Sequence, residues 1–221
     1  MLRINRRNVL KTAAASGVLG LGGLARAEVI QVAPDVHDIG VVGLPLVTAR
    51  QNCEQWCWAA SIETIYKHWG FNAPQEAFVK AYVGTNYAGD LICAPASYDM
   101  MVRAVNSTLQ DEGGNQFAGK SFVAMDENTD TRYNPAWWSI LQAELSAGRP
   151  LLAAYKTGAT TGHAVVLTHV RVRNYGNPYL PAQLLGMTAR DPWPYSPNKR
   201  FLSLSEVVNL KFIACVVVKS V

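Results

Sequence analysis

The sequence has 221 residues and carries 20 lysines and arginines against 16 aspartates and glutamates, a formal net charge of +4. Its apolar fraction of 49% excludes an intrinsically disordered chain and is ordinary for a globular protein. A chain of this length is long enough to bury a sizeable core in a single domain.

The first 27 residues are predicted to be an export signal. A twin-arginine pair at 6–7 precedes a Gly/Ala-rich apolar stretch at 12–24 and an Ala-Arg-Ala cleavage motif at 25–27. The alternative, a membrane anchor, is disfavoured because about 13 weakly apolar residues cannot span a bilayer core of ~30 Å. We therefore expect export by the twin-arginine route to the periplasm or beyond. The mature chain would be one domain at 28–221.

Most of the positive charge belongs to this signal. Without it, 15 basic and 16 acidic residues remain. A nearly neutral domain gives no support for nucleic acid or an anionic membrane as a partner. No later stretch is long and apolar enough to span a bilayer, so we expect no stable membrane insertion once the signal is removed. We also expect the mature protein to be a monomer.

The predicted elements of the mature chain fall into two groups. Residues 28–50 predict an extended lead-in, 111–119 a loop and 121–125 a short strand. Apolar residues at helical spacing predict helices at 57–69, 74–82, 95–107 and 135–148. Short apolar or β-branched runs predict strands at 150–156, 164–172, 184–190 and 212–219. Helices followed by an antiparallel sheet indicate the α+β class.

A cysteine stands at the predicted start of the first of these helices. The positive end of the helix dipole favours the thiolate of Cys57, which is the nucleophilic form. Gln51 precedes it by six residues and could fold its side-chain amide back toward the same place. That amide and the Cys57 backbone N–H would then stabilise an oxyanion together.

Two later residues complete a candidate Cys-His-Asp triad. His163 stands at the start of an apolar predicted strand, and Asp191 ends another. His169 is a rival base, because strand alternation places it on the same face as His163. His163 is preferred because the start of a strand can open onto a cleft. Asp191 could instead simply begin a proline-containing turn.

These segments resemble the papain-like cysteine peptidases. The stretch 51–61 resembles their oxyanion glutamine and nucleophile, at the same glutamine-to-cysteine separation. His-Ala-Val at 163–165 resembles their histidine strand, and Asp-Pro-Trp at 191–193 is similar to their Asn-Ser-Trp. The short length and the Cys-Trp-Ala-Ala sequence look closest to compact bacterial members. That group includes a plant-pathogen effector protease and relatives of the bacteriocin-processing peptidases.

The resemblance implies a papain-like α+β fold. A helical lobe carrying Cys57 would pack on an antiparallel β lobe carrying His163 and Asp191, with the cleft between them. It also implies that Trp193 shields the bond between the histidine and the third triad member. Trp56 could line the cleft or belong to the core, and the sequence does not separate these two interpretations.

The resemblance further implies a disulfide between Cys53 and Cys93, since the family often pairs cysteines about forty residues apart at these places. The C-x3-C spacing around the nucleophile departs from the family's usual C-x2-C. Cys57 could alternatively be a structural thiol, pair with Cys53, or join a zinc site with both of these cysteines and His68. Cys215 is expected to be a core residue of a late strand.

The function implied by the resemblance is that of a cysteine-type endopeptidase. It would hydrolyse a polypeptide substrate through a thioester and would need no metal or organic cofactor. One alternative is an amidase or transpeptidase acting on cell-wall peptides or isopeptides, because the same triad supports that chemistry. Another is a non-catalytic binding module in which Cys57 is oxidised.

Overall fold

The computed structural model describes residues 26–44, 48–110, 113–127, 136–174 and 182–221. The predicted signal peptide lies outside these ranges except for its last two residues. Among the residues described, none of the helices combines the length and apolar character needed to cross a membrane.

The structure confirms the α+β class. Its helices are α1 Cys57–His68, α2 Gln75–Tyr82, α3 Tyr98–Val105, α4 Ala136–Ser146 and α5 Leu204–Val208. Its strands are β1 Ala27–Ala33, β2 Val36–Val41, β3 Thr108–Gln110, β4 Gln116–Asp126, β5 Leu151–Lys156, β6 Gly162–Arg173, β7 Gln183–Arg190, β8 Lys199–Phe201 and β9 Leu210–Ser220.

Helix α1 is the most deeply buried helix of the site region. All its residues from Trp58 to Tyr66 are buried, so the helix is enclosed rather than lying on the surface with one apolar stripe. The helix ends at His68, and Gly70 follows its C-cap with a positive φ of 89°, a conformation that glycine adopts without strain. This burial fixes the position of the first turn, where Cys57 lies.

All the ladders are antiparallel, and β6 is the central strand. Its first half pairs with β5, its second half pairs with β2, and β7 pairs with it from Val166 onward. The sheet continues from β5 through β9 and β4 to β3, while β8 extends it beyond β7. The start of β6 and the end of β7 therefore meet at one edge of the sheet.

Helices cover both faces of this sheet. On one face α1, α2 and α3 enclose an aromatic core that includes Trp58, Tyr66, Phe78, Phe117 and Phe212. On the other face α4 contributes Leu141 and Leu145 to an aliphatic core with Leu151, Leu167 and Ile213. The expected helical lobe is thus α1–α3, and α4 packs on the opposite side.

Several boundaries differ from the sequence predictions. The lead-in forms the hairpin β1–β2, and β4 begins at Gln116 inside the predicted loop. Helix α3 begins at Tyr98 instead of residue 95, because the Ser97 side chain caps it by accepting from the Met100 N–H. Helix α5 was not predicted.

Candidate active site

Three elements bring Cys57, His163 and Asp191 together. In the antiparallel pair β6–β7, Val166 lies opposite Arg190, so His163 near the start of β6 and Asp191 just after β7 reach the same edge. The first turn of α1 points at this edge. The Ala164 N–H of β6 donates to the Cys57 sulfur at 3.4 Å.

His163 bridges the other two residues. Its Nε2 lies 2.8 Å from Asp191 Oδ1, and the N–H of the next residue, Ala164, reaches the Cys57 sulfur. Because Nε2 is engaged by the carboxylate, Nδ1 is the nitrogen available to the thiol. Burial lowers the pKa of His163, but the hydrogen bond with Asp191 and the proximity of the Cys57 thiol outweigh it and raise that pKa to about 9. The geometry therefore favours an imidazolium.

Asp191 is only 1% exposed, and it is fully hydrogen-bonded. Oδ1 accepts from the Trp193 N–H at 2.9 Å as well as facing His163, and Oδ2 accepts from Arg200 Nε at 2.7 Å. Burial alone would raise the pKa of this carboxyl, but its hydrogen bonds, first that with His163, hold it below its usual value. Asp191 is thus an ionised, fixed partner for the histidine.

Two aromatic rings flank the imidazole. The Trp193 ring lies edge-on to His163 with 6.3 Å between centroids, and the Tyr155 ring does so at 5.7 Å. Trp193 therefore lies where the resemblance implies. Both rings limit water at the histidine, which strengthens its electrostatic interactions.

Gln51 is buried in the segment before α1, and its amide is occupied. Nε2 donates to the carbonyls of Cys53 and Glu54 at 3.0 and 2.9 Å. Its backbone N–H donates to the Pro192 carbonyl at 3.0 Å, which joins the oxyanion segment to the loop of the triad acid. An oxyanion role for this side chain therefore requires release of one of the two carbonyls.

A cleft of about 850 Å³ opens over Cys57, His163 and Asp191. Pro95 and Ser97 contribute to its wall on the helical side, and Thr157 and Thr161 line it on the sheet side. Cys57 lies between the two walls, half-buried and free of any disulfide.

Comparison with known proteins agrees with this arrangement. The model of the Peptidase_C39 like family matches residues 44–202, which include all three triad candidates. The chain belongs to the Peptidase_C39 like family. That membership supports cysteine peptidase activity.

The comparisons with solved structures and with curated proteins give less information about this chain than the family match. The peptidase domain of Streptococcus ComA, a bifunctional ABC transporter involved in a quorum-sensing pathway, is 19% identical to this Peptidase_C39 like chain, with a TM-score of 0.41. The alignment covers 77% of this chain and 95% of that one. Among curated proteins, none matches.

The rival base of this Peptidase_C39 like chain lies on the other face of β6. The β6–β7 register shifts between Leu167 and His169, a bulge that inverts the alternation of side chains. The expectation that His163 and His169 share a face is therefore wrong. His169 packs on the backbone of Gly40, and its Nε2 lies 3.0 Å from Glu28 Oε1.

Trp56 belongs to the aromatic core. It is buried, and its indole N–H donates to the Ile92 carbonyl at 3.2 Å. Trp58 donates in the same way to the Ala94 carbonyl at 3.2 Å. Of the two interpretations that the sequence left open for Trp56, packing is the one the structure shows.

The cysteines divide as the resemblance implies. Cys53 and Cys93 form a disulfide with 6.0 Å between their Cα atoms, which leaves Cys57 free. This pairing removes two ligands of the alternative zinc site, and His68 is hydrogen-bonded to the Gly148 carbonyl instead. Over the described ranges, no group of three or more metal-ligating side chains is arranged to hold an ion. Cys215 is buried in β9, and burial raises its pKa to about 12.

A second pair of contacts near Gln51 was not predicted. The buried amide of Gln75 donates from Nε2 to the Arg50 carbonyl at 2.8 Å, and its Oε1 accepts from the Asn52 N–H at 3.0 Å. One side chain thereby holds the backbone on both sides of Gln51. This contact joins residues from α2 and the segment before α1, so local sequence patterns carry no signal for it.

Arg200 and Glu206 were also missed. Arg200 reaches Asp191 from β8, while its terminal nitrogens donate to both carboxylate oxygens of Glu206 at 2.9 and 2.7 Å. Glu206 had a readable signal: Ser203 and Glu206 form a capping box, the S-x-x-E pattern that marks a helix start. Arg200 had none.

Proposed function

We propose that this chain is an exported cysteine endopeptidase that hydrolyses polypeptides through a triad of Cys57, His163 and Asp191. The observation that carries the proposal is the convergence of these residues in one cleft, where His163 hydrogen-bonds Asp191 and the Ala164 N–H donates to the Cys57 sulfur. Cys57 lies more than a hundred residues before the other two, and a core without this function would not require an ionised carboxylate beneath a buried histidine.

The reaction begins with an ion pair. His163 takes the proton of the Cys57 thiol, and the thiolate attacks the carbonyl carbon of the scissile peptide bond. The imidazolium then gives the proton to the leaving amine, and the C–N bond breaks to leave a thioester. Water, deprotonated by His163, attacks the thioester and releases the acid together with the Cys57 thiol. Asp191 keeps the ring oriented throughout.

The tetrahedral intermediate needs donors for its oxyanion. The Cys57 backbone N–H lies at the first turn of α1, where helix N–H groups have no intrahelical acceptor. The Gln51 amide supplies the second donor after substrate binding releases the carbonyl of Cys53 or Glu54. Such a donor is worth roughly 3 kcal/mol of transition-state stabilisation.

The shape of the cleft supports an extended polypeptide as substrate. Small residues dominate the wall formed by the β5–β6 connection, with Ala159, Thr160 and Gly162 lining it. Small side chains leave room for a substrate main chain to approach the nucleophile. Trp58 and Met101 add apolar surface to the cleft.

The direct test is incubation of the purified protein with unfolded casein and a peptide library, with new termini identified by mass spectrometry. We expect cleavage by the wild type and by Cys215→Ala, which removes the other free thiol, and none by Cys57→Ser. Release of ammonia or formation of isopeptides without new α-amino termini would replace the peptidase with the amidase or transpeptidase. Tight substrate capture without turnover would indicate the binding module.

A further inference from the structure

Arg200 lies between two carboxylates. It donates once to Asp191, from Nε to Oδ2 at 2.7 Å, and it binds Glu206 through both terminal nitrogens. Its Nη2 also donates to the Tyr155 hydroxyl at 2.9 Å. The guanidinium is thus held by Glu206 and Tyr155 and presents its Nε–H to the triad acid in one orientation.

Glu206 is fixed independently of the triad. Its Oε2 accepts from the Ser203 N–H at 2.6 Å, and its own N–H donates to Ser203 Oγ at 3.2 Å. Burial would raise the pKa of Glu206, but hydrogen bonds, first those from Arg200, lower it to about 2. Glu206 therefore carries its negative charge at any pH at which the enzyme would act.

The charges explain why both residues are needed. An arginine bonded directly to the triad acid cancels much of the negative charge that stabilises an imidazolium on His163. The second carboxylate restores it, because Asp191, Arg200 and Glu206 together carry one net negative charge. A fixed Asp191 and a charged histidine are then compatible.

We propose that Arg200 and Glu206 are a positioning pair for the triad: Arg200 locks the Asp191 carboxylate toward His163, and Glu206 offsets the charge of that arginine. The proposal rests on the proposed function, since it assigns a role within the same triad. Neither residue contacts substrate atoms in this role. Both act through Asp191.

The titratable and charged groups around His163 and its partner Asp191 come from five parts of the fold. They are Cys57 on α1, Tyr155 on β5, Asp191 after β7, Arg200 on β8 and Glu206 on α5. Burial, followed by the nearby Glu206 carboxylate, raises the pKa of Tyr155 above its usual value, so this group stays neutral. A shift in the pKa of His163 after substitution of Arg200 or Glu206 would therefore report the lost charge of that residue and not a change in Tyr155.

The test is the rate of Cys57 alkylation by iodoacetamide between pH 4 and 10, followed by peptide mapping. The upper step of this profile reports loss of the imidazolium proton, since the thiolate gains reactivity when its cationic partner is lost. Glu206→Gln keeps a capping-box residue, so the fold of α5 is preserved. Arg200→Gln, the double variant and His163→Ala complete the set. Arg171→Gln with Asp38→Asn removes a matched bidentate pair away from the cleft and serves as control.

We expect Glu206→Gln to move the upper step down by about half a unit to one pH unit, and Arg200→Gln to move it up by a similar amount. The double variant should return close to the wild type, and the control should match it. A structural role alone would move both single variants in the same direction or leave the step in place, and either result would overturn the pairing. If the pairing is overturned but His163→Ala abolishes the upper step, the proposed function stays intact. An unchanged profile in His163→Ala would overturn both the positioning pair and the proposed triad.

Discussion

Arg50 holds the backbone of Asp191 from the opposite lobe. Its Nη1 donates to the Asp191 carbonyl at 3.0 Å and to the Trp193 carbonyl at 2.6 Å. Arg50 directly precedes Gln51, whose own N–H donates to the Pro192 carbonyl. The segment leading to the nucleophile and the loop of the triad acid are therefore fastened to each other across the base of the cleft.

Replacement of Arg50 by methionine should loosen this fastening. The two carbonyls would lose a charged donor, and such hydrogen bonds are worth about 1.5–3 kcal/mol each. We expect a lower free energy of unfolding in urea and a fall in kcat of about tenfold, since Asp191 would orient His163 less well. Arg103→Met is the matched control, because the Arg103 side chain pairs with the exposed Asp99 on the surface of α3. Equal kcat values for the two variants would show that the Arg50 contact has no part in catalysis.

The oxyanion role of Gln51 has its own test. Gln51→Ala should lower kcat about a hundredfold with little change in KM, because the amide would act only on the transition state. Gln31→Ala provides a control, since Gln31 is an exposed glutamine on β1 whose amide donates to the Pro34 carbonyl. A kcat of Gln51→Ala within twofold of the wild type would mean that the amide keeps its contacts with Cys53 and Glu54 during turnover.

The pH profile follows from His163. Its pKa is raised from 6.5 to about 9, so the imidazolium that protonates the leaving amine persists until the pH approaches 9. We expect kcat/KM to fall as the pH rises through about 9. By linkage, the proton also stabilises the folded state fully below pH 6.5, and this contribution is lost as the pH rises toward 9. An alkaline limb near pH 6.5 would show that Asp191 does not support the charged ring.

The disulfide supports one wall of the cleft. Cys53 and Cys93 are 40 residues apart in sequence, and closure of a loop of that size is worth about 4 kcal/mol in the chain-entropy estimate. The double variant Cys53→Ser with Cys93→Ser should lose about that much stability in urea. Its KM should rise, because the segment after Cys93 leads into the cleft wall at Pro95. Unchanged stability would mean that the indole contacts of Trp56 and Trp58 suffice to hold this segment.

Local sequence patterns were enough to predict the helices that carry the site. The apolar run after Cys57 and the Gly70 stop correctly placed α1 to within a residue, since both signals lie within the helix itself. The start of β4 was missed because its partner β9 is distant in sequence. The strands of the hairpin β1–β2 pair locally, but β2 is held in the sheet by β6, more than a hundred residues later. A strand such as β4, paired with β9 nearly a hundred residues later, has little local signature.

The residues of the site also fall into those that a local motif identifies and those whose position depends on the fold. Motifs identified Cys57, His163 and Asp191 as candidates, because each stands at the end of an element with a recognisable sequence. The parity argument for His169 failed at the β6 bulge, which depends on the register with β7. The contacts of Arg50 and Arg200 could not be predicted, because an arginine reaches its acceptors through a fold whose details no local pattern records.

The most direct test of the triad is labelling of Cys57 with iodoacetamide at pH 6, followed by peptide mapping. The wild type would be compared with His163→Ala, Asp191→Ala and His169→Ala. We predict rapid labelling in the wild type and in His169→Ala, and slow labelling in the other two variants. An inert Cys57, or a labelling rate that falls with His169→Ala as much as with His163→Ala, would contradict the account.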